Sequence, residues 1–230
     1  MGPTAKPRVK ICCIASLDEA WLAIRHGAAA LGLVSRMPSG PGPIPEALIA
    51  RIAGAVPPAV STFLLTSEQS VDAIVAQQRR CGASTIQLVD RLESGTHADL
   101  RSALPGISIV QVVHVGSEEA IDEALAIAPH VHGILLDSGN PRLAVKELGG
   151  TGRRHDWRLS ERIRQSVGVP VFLAGGLHAG NVAEAIAAVG PFGVDVCTGV
   201  RTAGNLDEAK LAAFFAEVNR VSQPVGPQPV

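Results

Sequence analysis

The chain has 230 residues, of which 47% are hydrophobic and 18% charged, with a formal net charge of −1. That is enough apolar material for one sizeable core, and the even scatter of charge leaves no electrostatic footprint for nucleic acid or an anionic membrane. No apolar run reaches the roughly 18 residues of a membrane helix and MGPTAKPR lacks the apolar stretch of a secretory signal, so a small-molecule partner and a cytoplasmic location are expected.

In chain order, short β-branched apolar runs alternate with amphipathic segments. VKICCI reads as a strand ending in two adjacent thiols and is followed by helical LDEAWLAIRHG; AALGLV is followed by PEALIARIAG, and AVSTFLL by SEQSVDAIVAQQRRCG. STIQLV and ISIVQVVHV come next, then SEEAIDEALAIAP, VHGILL, VPVFLA with AGNVAEAIAAVG, and FGVDVC with LDEAKLAAFFAEVNR. Ser67 and Ser117 are suited to cap the helices they precede. Eight strands with connecting helices and no linker predict a single (β/α)8 TIM barrel over residues 9–220, with an open doubly wound sheet as the alternative. Residues 1–8 and 221–230, the latter rich in Pro and polar residues, read as flexible ends.

In a parallel barrel, chemistry sits at the C-terminal ends of the strands and in the loops that follow. That rule selects Cys12 and Cys13, Asp137, Gly175 and Gly176, and Thr198 and Gly199. Because strand residues alternate in direction, one of the two adjacent thiols is expected inside the barrel and the other under the helices. Four cysteines without a signal read as reduced thiols. The glycines after the seventh and eighth strands let a ligand approach bare backbone N–H groups beside a helix N-terminus, which suits a phosphate. No GxGxxG or GxxxxGK[ST] fingerprint is present.

The long polar stretch LLDSGNPRLAVKELGGTGRRHDW carries Asp137 at a strand end, a GGTG turn containing Gly150, and Asp156 placed to cap the next helix. A carboxylate at the barrel mouth, such as Asp137, has no helix to cap and must be paired, solvated or working. No metal site is expected, since CxxC and HExxH spacings are absent and His130 and His132 precede a strand, at the opposite face.

The motifs KICCIA, GAAALGLV, LLDS with GGTGRRHDW, FLAGGLHAGNVAEAI and GVDVCTGVR resemble, in order and over nearly the whole chain, the phosphoribosylanthranilate isomerase family of tryptophan biosynthesis. The resemblance implies a cofactor-free (β/α)8 barrel that performs an Amadori rearrangement, with Cys12 as general base and Asp137 as general acid. It further implies substrate contacts from Lys10, Asp156, Gly150, Gly175, Gly176, Thr198 and Gly199, and a protein that is a monomer or homodimer. A thiol with an ordinary pKa of about 8.5 needs help to ionise, and Lys10 is a candidate helper.

Four positions depart from the family pattern. Cys13 stands where the family has glycine; Pro41 or Gly42 falls where an arginine holds the anthranilate carboxylate, with Arg36 the nearest substitute. Val89 replaces a histidine after the fourth strand, and Arg201 replaces a glutamate after the eighth. These changes leave open a divergent relative that acts on, or only binds, a different sugar phosphate.

Overall fold

A computed structural model describes residues 6–139, 143, 146–148 and 154–221 of the chain. Eight parallel strands close into a barrel in sequence order: β1 (Arg8–Ile11), β2 (Ala30–Val34), β3 (Ser61–Thr66), β4 (Thr85–Leu88), β5 (Ser108–His114), β6 (Gly133–Asp137), β7 (Val171–Leu173) and β8 (Gly193–Val196). Around them run α1 (Leu17–Arg25), α2 (Glu46–Ala55), α3 (Val71–Cys81), α4 (His97–Ala103), α5 (Glu119–Ile127), α6 (Trp157–Ser166) and α7 (Val182–Val189). A two-strand ribbon of β9 (Arg201–Thr202) and β10 (Asn205–Leu206) then leads into α8 (Glu208–Val221). The closed sheet excludes the open doubly wound alternative. The expectations for residues 1–5 and 222–230 lie outside the described residues.

The two-residue period of the strands explains the two apolar layers. Leu31, Leu33, Ile86, Leu88, Ile134 and Leu136 point outward and pack under the helices, while Ala30, Val34, Phe63, Val110, Leu135 and Phe172 fill the barrel interior. Each fully buried side chain of this size contributes about 1.5–3 kcal/mol relative to an exposed one.

Helix boundaries were set partly by caps that periodicity does not see. Ser70, not Ser67, caps α3, accepting from Ala73 N at 3.2 Å, whereas Ser67 Oγ donates to the Arg36 carbonyl. Ser117 likewise lies one residue before Glu118, the N-cap of α5, and its hydroxyl turns to Glu119. The short α4 buries only Leu100 and is held by a reciprocal cap between Thr96 and Asp99, so its composition carries almost no helical period.

Closure pairs β1 with β8, placing Lys10 opposite Asp195. Lys10 is fully buried; its Nζ lies 2.9 Å from Asp195 Oδ2 and over the Phe63 ring at 5.4 Å. Burial would neutralise the ammonium, but the adjacent Asp195 carboxylate outweighs it and raises the Lys10 pKa. Removing one partner of such a pair strands the other charge, at a cost of about 3–5 kcal/mol. Lys10→Met is therefore expected to lower the unfolding free energy by about that amount in a urea titration, and the Lys10→Met/Asp195→Leu double variant by much less. Equal losses in the single and double variants would show that the pairing itself is not what the barrel depends on.

Candidate active site

The mouth formed by the C-terminal strand ends opens into a cleft of about 710 Å³, with Cys12, Cys13, Asp137, Gly175, Gly176, Asp195 and Thr198 in its wall. Cys12 continues the inward phase of Lys10 beyond β1, and its backbone N donates to Val196 O at 2.8 Å. Gly32, on the neighbouring strand, leaves the thiol its room, because a Cβ there would meet Cys12 Sγ at 2.7 Å.

Cys13 does not pack under the helices, contrary to the alternation rule. The strand has ended at Ile11, and Cys13 takes a left-handed backbone with φ of 61°, which turns its side chain into the same cleft. Glycine suits that conformation; a cysteine holds it with some strain. Its thiol donates to the Pro41 carbonyl at 3.6 Å, and its proximity, with help from Lys10 and against the effect of burial, lowers the Cys12 pKa. The same contacts, with Cys12 and Cys197, push the Cys13 thiol well up.

The corner itself is clamped by a second, partly buried ion pair. Arg201 forms a two-pronged pair with Glu19, at 2.9 and 3.0 Å, and donates to the backbone carbonyls of Cys12 and Cys13. Glu19 also accepts from Ala15 N and Leu206 N, and although burial pushes its pKa up, the Arg201 hydrogen bonds prevail and lower it. The arginine at position 201 thus has a complementary acid and a defined task in holding the backbone that carries Cys12.

Asp137 closes β6 with Oδ1 accepting from Ser138 N at 2.7 Å. Burial, opposed by that hydrogen bond and reinforced by the Asp195 charge, raises its pKa to about 6. A carboxyl tuned this way can hold and release a proton near neutrality.

On the other side of the mouth, Gly175 and Gly176 both adopt positive φ, 85° and 62°, and the turn is braced by Asn181 Nδ2 donating to Gly176 O at 2.9 Å. Gly199 is required by packing, since a Cβ would meet Leu177 O at 2.0 Å. These two loops therefore bring backbone from β7 and β8 together beside the cleft, and Thr198 joins its wall.

Several residues selected from the sequence lie elsewhere. Lys10 sits beneath the cleft, not in its wall. Asp156 is exposed and caps α6, accepting from Arg158 N at 2.9 Å. Arg36 is exposed on the β2–α2 loop outside the cleft wall, and Gly150 falls outside the described residues. The long segment after β6 nevertheless reaches the mouth: Lys146 pairs with Asp90, its carbonyl accepts from Ser39 Oγ at 2.6 Å, and Leu148 joins the wall. Asp195, Cys197 and Glu19 were missed by sequence reasoning. The inward phase that Asp195 shares with Lys10 was the available signal, but it acquires meaning only when β1 meets β8. At the opposite face, His132 Nδ1 accepts from Ile109 N at 2.9 Å, and no group of three or more metal-ligating side chains gathers among the described residues.

Fold and site together define a (β/α)8 barrel whose cleft, at the C-terminal ends of its strands, holds thiols and a buried carboxyl. The family model for N-(5′-phosphoribosyl)anthranilate isomerase matches residues 9–217. Isomerases of that name from Methanocella arvoryzae and Desulforudis audaxviator are 32% and 37% identical, over 94% and 90% of this chain and 99% and 95% of theirs. The crystal structure of the Thermotoga maritima isomerase is 29% identical with a TM-score of 0.76, covering 93% of this chain and 99% of that one. Another, in complex with reduced 1-(o-carboxyphenylamino)-1-deoxyribulose 5-phosphate, is 27% identical with a TM-score of 0.74 and the same coverage. The chain belongs to the phosphoribosylanthranilate isomerase family.

The raised pKa of Asp137 has a consequence for stability. The folded state holds this proton more tightly than the unfolded chain, so the group's stabilising contribution is full below about pH 4 and is lost as pH rises through about 6. Asp137→Asn, which keeps a neutral acceptor for Ser138 N, is expected to be more stable to unfolding than the parent above pH 7, by up to about 3 kcal/mol. Calorimetry across pH should show that gap closing below pH 4; a gap independent of pH would refute the assigned shift.

Proposed function

We infer that this protein catalyses the Amadori rearrangement of N-(5′-phosphoribosyl)anthranilate in tryptophan biosynthesis, converting the aminoaldose phosphate to the corresponding aminoketose phosphate. Family membership carries the substrate, and the single structural observation that carries the chemistry is a cleft shared by a buried carboxyl with pKa of about 6 and a thiol whose pKa is lowered.

In this reading Asp137 gives its proton to the ribose ring oxygen as the C1′–O bond breaks, and the anilinic nitrogen supplies the electron pair that forms the iminium. Cys12 thiolate then removes the C2′ proton, and the enol so formed relaxes to the ketone. Lys10 acts beneath the cleft by favouring the thiolate, while Arg201 and Glu19 hold the Cys12 backbone. Backbone amides of Gly175, Gly176 and Gly199, with Thr198, are assigned to the phosphate and Asp156 to the anthranilate side, with Gly150 a further substrate contact, as the family resemblance implies. The anthranilate carboxylate needs a cation, and Arg36, on a long side chain at the rim, is assigned that contact. A non-catalytic sugar-phosphate binder would need neither the tuned acid nor the thiol.

Mixing purified protein with freshly generated phosphoribosylanthranilate should give a rapid loss of the anthranilate fluorescence. Cys12→Ala should slow it by at least about a hundredfold with the fold intact, the scale expected for removal of a general base. A near-normal rate in Cys12→Ala would remove the thiol from the mechanism. The parent's log kcat/KM profile should break near pH 6, and that break should vanish in Asp137→Asn. Arg36→Ala should raise KM several-fold with kcat little changed, and an unaltered KM would free Arg36 of the carboxylate.

A further inference from the structure

The mouth of the cleft contains more thiol chemistry than a single general base requires. Cys197 Sγ lies 2.7 Å from Cys13 Sγ, although the two residues are 184 positions apart in the chain. Both cysteines are unpaired, Cys13 buried and Cys197 partly exposed, and both line the cleft. A disulfide bond measures about 2.05 Å, so joining these sulfurs requires a shift of less than an ångström. Cys13 keeps a thiol in a strained, left-handed backbone at φ of 61°, where glycine would sit without strain. The Arg201 guanidinium donates to the Cys13 carbonyl and so holds in place the backbone that presents the Cys13 sulfur to Cys197.

We propose that Cys13 and Cys197 form a reversible oxidation site, in which a hydroperoxide drives a disulfide across the β1 and β8 ends and stops turnover. The more accessible Cys197 sulfur attacks the hydroperoxide; the O–O bond breaks, an alcohol or water leaves, and Cys197 becomes a sulfenic acid. The Cys13 sulfur then displaces water from that sulfenic acid. In sum, two thiols and one hydroperoxide give one disulfide, one alcohol or water, and one further water, and the two electrons lost by sulfur reduce the peroxide bond. Cys12 is poorly placed to compete for Cys13, because adjacent residues close only a strained ring. The oxidised pair removes the Cys13 thiol that favours ionisation of Cys12, and it fixes the backbone next to Thr198. Its effect on turnover rests on the isomerase reading; formation of the cross-link does not.

The test treats fully reduced protein with a slight excess of hydrogen peroxide, blocks free thiols, and maps peptides by mass while turnover is followed. A Cys13–Cys197 linked peptide should appear as turnover falls at least tenfold, and dithiothreitol should reverse both. Cys197→Ser and Cys13→Gly, each referred to its own reduced rate, should lose the dithiothreitol-reversible component. Thiols consumed without the linked peptide, or full turnover in the linked protein, would overturn the proposal. A reduced protein that cross-links yet never turns over phosphoribosylanthranilate would refute the isomerase reading and leave the oxidation site standing.

Discussion

The pairing of Lys10 with Asp195 across the β1–β8 seam sets the geometry on which the cleft depends. Closing a sheet of eight strands joins the first to the last, and here the joint carries a fully buried ammonium against a carboxylate. One turn above it the same two strands deliver Cys12 and Cys197, so the pair serves both as part of the barrel's interior and as the electrostatic floor of the cleft. The Lys10 charge favours a thiolate at Cys12, while the Asp195 charge opposes ionisation of Asp137. A single buried pair therefore biases the Cys12 thiol and the Asp137 carboxyl in opposite directions, as the proposed acid–base chemistry requires.

A second constraint lies in the backbone that follows β1. Cys13 departs from the glycine expected at a left-handed position, and Arg201 departs from the family's glutamate, yet the two departures meet: the guanidinium holds the carbonyls of Cys12 and Cys13 and is neutralised by Glu19. The change at Arg201 thus places its charge in support of the backbone that carries Cys12 and Cys13. The Val89 change is similarly local, placing an apolar side chain in the cleft wall, while Asp90 beside it pairs with Lys146 of the long β6–α6 segment.

Much of the architecture was legible because strands and helices leave different periods in the sequence. Strands as short as VFL in β7 were recognisable from their β-branched or aromatic content and from the Gly-Gly corner that follows. The helix α4 was not, since HADLRSA buries one leucine and depends on a local cap. Asp137, Gly175, Gly176 and Thr198 were found by position at strand ends, and the structure gathers them in one cleft. Asp195, Cys197 and Glu19 escaped notice because each matters through a partner more than 180 residues away, at Lys10, Cys13 or Arg201.

By itself the sequence determined the number of strands and their order along the chain, and through its ordered motifs the family, since these reside in local patterns, whereas closure of the sheet does not. It also named Cys12 and Asp137, which stand at strand ends whatever the closure. The direction of the Cys13 side chain, the protonation bias of Cys12 and Asp137 and the approach of Cys13 to Cys197 were decided by the tertiary structure alone. The first follows from a backbone angle that no periodicity encodes. The others follow from burial and from charges brought together by ring closure, and both effects fall off over a few ångströms in space while being indifferent to separation along the chain.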